Sequence, residues 1–171
     1  MADDPPATPA QLAANLKAAT DGLQPQANPP DAAAKRLQHL LDAVEARLTE
    51  WEGLGASAEG RVATLIGAWR RTHLSHREDL SAAIVSLGAE PGPGHDFGAD
   101  LRAAGAALRG GLAGVTPAAL APVLQREARL LDLYDVAGGA DPDHRHMLDR
   151  HRAALVALGN RTQDVIDGIA R

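Results

Sequence analysis

Four stretches of the chain repeat apolar residues at spacings that alternate between three and four, the pattern of helices that share a core. In the first stretch the stripe is Leu37, Leu41, Val44, Leu48 and Trp51. It predicts a helix from Asp31, a good N-cap, to about Gly53. A second helix is predicted from about Ala58 to Leu87, with Val62, Ile66, Trp69, His73, His76, Leu80, Ala83 and Leu87 along one side. The run from Gly88 to Gly94, which holds Pro91 and Pro93, ends it. Thr116 and Pro117 supply a cap and a first-turn proline for the third helix, whose stripe is Leu120, Leu124, Glu127, Leu131 and Tyr134. Gly138-Gly139 stops it. Asp141-Pro142 opens the fourth helix in the same way, and its stripe is His144, Leu148, His151, Leu155, Leu158, Thr162 and then Val165 or Ile166.

Two other segments flank these helices. Residues 1–31 form a Pro-rich arm, punctuated by Pro5, Pro6, Pro9, Pro25, Pro29 and Pro30. Inside it Thr8 and Pro9 open a short helical stretch with Leu12, Leu16, Ala19 and Leu23 on one face. Residues 89–116 form a long connection with a short helical piece, Phe97, Leu101, Ala104, Leu108 and Leu112, weakened by Gly105, Gly110, Gly111 and Gly114. Two helical hairpins joined by one long crossover describe a ferritin-like four-helix bundle. The expected class is therefore all-α, with the bundle in residues 32–171 behind the arm. No alternating run rich in Val, Ile and Thr competes as a strand.

Composition narrows the chemistry. The chain of 171 residues has no cysteine, which excludes disulfides, thiolate metal sites and Cys nucleophiles. A net charge of -5 argues against generic nucleic-acid binding, which needs a basic surface. No apolar run approaches a membrane span, and the N-terminus lacks the basic and apolar regions of a secretory signal. These features set the cytoplasm as the expected location.

The stripes themselves carry the sharpest clue. His73, His76, Glu127 and His151 fall where the helices should be apolar. Buried His and Glu need a partner or a ligated ion. Imidazole and carboxylate are also ligands for iron, manganese and zinc. With helices two and three parallel, His76, Glu127 and His151 each lie about 12 residues from the same end of the bundle, roughly 17 Å in. His73 lies about one turn further. Two uses of this layer follow from the residues: one bound metal ion, or a hydrogen-bonded network that sets helix register. The Glu-x-x-His pairs of di-iron bundles are absent, and His73-x-x-His76 stands where one would be. A smaller group, Asp141, Asp143, His144, His146 and Asp149, gathers at the mouth of helix four, where acids are favoured by the helix dipole. Ser75 lies between His73 and His76 in number only, since near neighbours on a helix do not face one another.

Over roughly residues 35–160 the chain resembles a bacterial family of ferritin-like four-helix proteins of unknown function. The resemblance rests on Leu37-x-x-Leu40-Leu41, on Trp51, on Asp79-Leu80 leading into Leu87-Gly88-Ala89-Glu90-Pro91, and on Glu127 seven residues before Tyr134. It implies the ferritin-like fold and a polar Glu127 inside the bundle, and no established activity. The family tends to place a His-Asp pair late in helix four, where Gly159-Asn160 stands here. The leading expectation is a helical protein that acts by binding or assembly, with His73, His76, Glu127 and His151 as candidate ligands of one metal ion. The alternatives are a metal-dependent oxidase or ferroxidase, and an adaptor that docks a protein partner through residues 8–23. A homodimer fits any of the three.

Overall fold

The computed structural model describes residues 29–92 and 115–169. The arm before residue 29, with its docking segment 8–23, and the expected short helix at 97–112 lie outside the described residues. Within them there are four α-helices and no strand. We label these α1 (Pro29–Gly55), α2 (Gly60–Ser86), α3 (Pro117–Ala140) and α4 (Arg145–Ile169).

The expected boundaries hold to within three residues, with two corrections. α1 begins at Pro29, so Asp31 sits in its first turn instead of capping it. Proline has a fixed φ suited to the first helical turn and no N–H to leave unpaired there. α4 begins at Arg145, after a turn over 142–144 across which Asp141 accepts the His144 backbone N–H at 3.3 Å, the bond of a capping residue. At the end of α2, Gly88 takes φ 78°. That left-handed residue lets Ala89 N–H reach back to the Ile84 carbonyl at 3.2 Å, the usual way a helix closes on glycine.

The helices pack as two hairpins, α1 on α2 and α3 on α4, with α1 also against α3 and α2 against α4. Four long-range bonds fix their directions. Val115 N–H donates to the Ser57 carbonyl at 3.3 Å, so α3 starts beside the turn between α1 and α2. Arg36 donates to the Ala140 carbonyl at 3.2 Å, so α3 ends beside the start of α1. Gln38 holds Gly92 at the same end, accepting from its N–H at 2.8 Å and donating to its carbonyl at 3.3 Å. Hence α2 and α3 run in the same direction, and residues 92 and 115 stand at opposite ends of the helices.

The core is aliphatic except at its middle. Leu37, Leu40, Leu41, Val44, Ile66, Leu80, Ile84, Leu120, Val123, Leu148 and Leu155 are buried in it. The α2 and α4 stripes match the expected ones at Val62 to Ala83 and at Leu148 to Thr162. On α3 the buried side chains are Leu120, Val123, Glu127, Leu130, Tyr134 and Ala137, with Gly138 buried beside them, so Val123 and Leu130 replace the expected Leu124 and Leu131, which are half-buried. α1 is covered on more sides than a single stripe predicts, with Ala33, Ala34, Asp42, Ala46 and Glu50 also buried. Glu50 is held there by Arg47 at 2.6 Å from its own helix and by Arg126 from α3.

Candidate functional site

The two tryptophans stack across the middle of the first hairpin, ring centroids 5.0 Å apart and 7° from parallel. Each indole N–H has a partner on the other hairpin. Trp51 donates to Glu127 Oε1 at 2.7 Å, and Trp69 donates to Thr162 Oγ1 at 3.0 Å. Thr162 passes its own proton to the Leu158 carbonyl at 2.8 Å, so that end is fully satisfied. The aromatic column continues through His73, centred 5.7 Å from Trp69, and His76, centred 6.2 Å from His73.

All four expected site residues are buried and lie together at this level. They form two tiers one helical turn apart. In the first, His73 Nε2 meets Glu127 Oε1 at 3.1 Å, the same oxygen that accepts from Trp51. With Glu127 as acceptor, His73 carries its proton on Nε2. In the second tier, His76 and His151 stack face to face, centroids 3.8 Å apart and 12° from parallel. His76 Nδ1 faces the Tyr134 hydroxyl at 3.1 Å, and His151 Nε2 faces Asp79 Oδ2 at 2.9 Å. Asp79 is the way out, its side chain 45% exposed. Glu127 thus sits level with His73, a turn away from His76, where helix-end counting had placed it level with His76 and His151. The second tier is completed instead by Tyr134 and Asp79, which the sequence reading did not name as site residues. Asp79 falls off the α2 stripe, and only its place three residues after His76 could have flagged it.

Burial governs the titration of the second tier. It pushes the His76 pKa down from 6.5 to about 2, with further lowering from His151 and His73 beside it. Burial also lowers the His151 pKa; the hydrogen bond and charge of Asp79 act the other way and do not cancel it. The Tyr134 phenol is pushed well above its usual range by burial, then by the charges of Glu127 and Asp79. Two neutral imidazoles against a neutral phenol are what this stack holds at neutral pH.

The geometry bears directly on metal binding. An ion bound to an imidazole lies in the ring plane, at about 2.1 Å from nitrogen. Two rings stacked nearly parallel have planes that do not meet nearby, so His76 and His151 cannot share one ion as they stand. Their bonded nitrogens face Tyr134 and Asp79, not Glu127. His73 Nδ1, Glu127 Oε2 and His151 Nδ1 are buried and unpaired. The free nitrogen of His73 lies on the other side of its ring from the one that meets Glu127. Among the described residues, no three His, Asp or Glu side chains are grouped to hold a metal ion. The mouth of α4 is included in that statement: Asp141 there holds His144 at 2.9 Å, and Arg145 lies 3.9 Å from Asp149.

Comparison of the chain with family models, with curated proteins and with solved structures finds no match in any of the three. No described helix is long and apolar enough to cross a membrane.

Proposed function

We propose that the protein is a ferritin-like helical assembly protein that pairs with a second copy of itself, and that its His/Glu layer fastens the helices together. The ferritin-like reading is supported by the parallel run of α2 and α3 and by the placing of residues 92 and 115 at opposite ends of the helices. Assembly rests on one observation. A groove of about 260 Å³ lies between α1 and α3, lined almost wholly by apolar atoms, with Leu40, Leu133, Val136 and Ala137 in it and Lys35, Arg36 and His39 along its α1 side. Val136 is 66% exposed, the most exposed large hydrophobic among the described residues. The α1 edge is basic at Lys35, and on α3 the exposed Asp132 stands one helical turn before the groove residue Val136. A two-fold pairing brings the basic edge of one copy onto the acidic edge of the other, the self-complementarity that an isologous interface needs.

Light scattering on the full chain at micromolar concentration tests this. A dimer is expected for the wild type and a monomer for Val136→Asp. Lys35→Asp should weaken the dimer, and adding Asp132→Lys should restore it. A monomeric wild type ends the reading.

The layer's competing use as a site for iron, manganese or zinc, and with it oxidase chemistry, is tested separately. Metal content is measured after loading and desalting. The fastener reading expects no stoichiometric metal. One ion per chain, lost in His76→Ala, would mean that the rings turn to make a site.

A further inference from the structure

At one end of the helices, away from the His/Glu layer, three residues form a second hydrogen-bonded chain. Asp141, buried at the end of α3, accepts from the His144 ring, Nδ1 to Oδ2 being 2.9 Å. Its other oxygen accepts the His144 backbone N–H at 3.3 Å, so one carboxylate orients both the ring and its backbone. With the proton on Nδ1, the lone pair of His144 is on Nε2. That nitrogen faces Ser86 Oγ, at the last residue of α2, at 3.4 Å. Carboxylate, imidazole and hydroxyl are thus in the order of an acyl-transfer triad, which is recognised by geometry and not by sequence position.

We propose that Ser86, His144 and Asp141 form a hydrolytic site for small, activated carboxylic esters. Ser86 Oγ attacks the ester carbonyl carbon while its proton passes to His144 Nε2. Asp141 pairs with the imidazolium. The carbon–oxygen bond to the leaving group breaks as that group takes the proton from His144. Water then attacks the acyl-Ser86 ester with His144 as base, releasing the carboxylic acid and restoring the hydroxyl. The first turn of α4, which begins directly after His144, has backbone N–H groups without helical partners, and these are the donors we assign to the developing oxyanion. Ser86 is exposed, so a small ester reaches it without any closure around it.

The site is at rest in this structure. Ser86 donates its proton to the Ala83 carbonyl at 2.7 Å, and it must turn to give that proton to His144. Its bond to His144 is long, as such bonds commonly are before substrate binds. Ser86 also sits at the carbonyl end of α2, whose dipole disfavours negative charge. The expected activity is therefore slow, and a covalent probe reports it better than turnover alone.

The experiment treats the full chain with a small alkyl fluorophosphonate and locates the adduct by peptide mass spectrometry. Hydrolysis of 4-nitrophenyl acetate is followed in parallel. Labelling of the Ser86 peptide is expected, abolished in Ser86→Ala and slowed about tenfold or more in His144→Gln and in Asp141→Asn. Ester hydrolysis should fall in the same three variants. Circular dichroism checks their folding, and Ser86→Ala, an exposed and conservative change, carries the test if Asp141→Asn unfolds. Labelling only at other residues, or a Ser86→Ala variant that hydrolyses the ester at the wild-type rate, overturns the proposal.

Discussion

The two tiers of the central layer hold the same kinds of side chain in opposite settings. In the Glu127 tier, a carboxylate is sealed between Trp51 and His73, and every direct neighbour that bonds it is buried. In the His76 tier, two neutral imidazoles are stacked, and the chain of contacts leads through His151 to the half-exposed Asp79. The first tier therefore stabilises the fold through a buried acceptor that no solvent can replace. The second stabilises it only while its rings stay neutral. Imidazole and carboxylate give a fastener in one place and a pH-sensitive contact a turn away, because access to water differs.

The strongest way to break this contrast is Glu127→Ala. It strands the Trp51 N–H and the His73 N–H in the core and leaves a void, and the expected loss is about 3 to 5 kcal/mol in urea unfolding. Glu127→Gln keeps an acceptor for Trp51 and should lose clearly less. A loss no greater for Ala than for a surface residue would show that the sealed tier is not the fastener.

Acid comes next, and it strikes the other tier. His76 has a folded-state pKa near 2 against 6.5 when unfolded, so the unfolded chain takes up the proton first. Stability should be flat in this respect above pH 6.5. It should fall as pH drops below it, by roughly 1.4 kcal/mol per pH unit from this group, until the folded-state value is reached. His151, also lowered, adds to the same trend. Denaturant melts of wild type and His76→Phe between pH 7 and pH 4.5 read the difference. The variant should lose most of the slope, and an unchanged slope would place the acid sensitivity elsewhere.

Smaller effects sharpen the boundary. Tyr134→Phe removes the hydroxyl that meets His76 and keeps the ring, and about 1 kcal/mol should be lost. Asp79→Asn is expected to change stability least, by about 0.5 kcal/mol or less at neutral pH, since its partner is neutral there and its carboxylate is wet. A loss from Asp79→Asn larger than that from Tyr134→Phe would show that the second tier is held from its wet edge and not from its buried one.

The sequence made parts of this legible and hid others for physical reasons. Helical periodicity located all four described helices and put His73, His76, Glu127 and His151 inside, because burial follows the 3.6-residue repeat. The α3 stripe was misassigned at Val123 and Leu130 because adjacent leucines, Leu130-Leu131 and the Val123-Leu124 pair, offer two equally apolar faces. Depth counted from helix ends missed the pairing of Glu127 with His73, since one helical turn is only about 5.4 Å and a glutamate side chain spans much of it. Ring orientation was beyond reach altogether. Whether His76 and His151 converge on a point or stack depends on side-chain torsions that periodicity does not encode. Asp141 and His144 already stood together in the group at the mouth of helix four, but Ser86 was invisible as a partner of His144 because the two meet only when the end of α2 packs beside the start of α4.

The central hydrogen bonds have a consequence for the order of folding. Trp51 to Glu127, His73 to Glu127, Tyr134 to His76, His151 to Asp79 and Trp69 to Thr162 span 54 to 93 residues of sequence. Not one of them lies within a hairpin. Each hairpin can close through local contacts across its own short turn, which is fast, whereas these bonds must wait for the two hairpins to meet. The layer is thus a latch on the last step of assembly. Weakening it should quicken the parting of the hairpins more than it slows their formation.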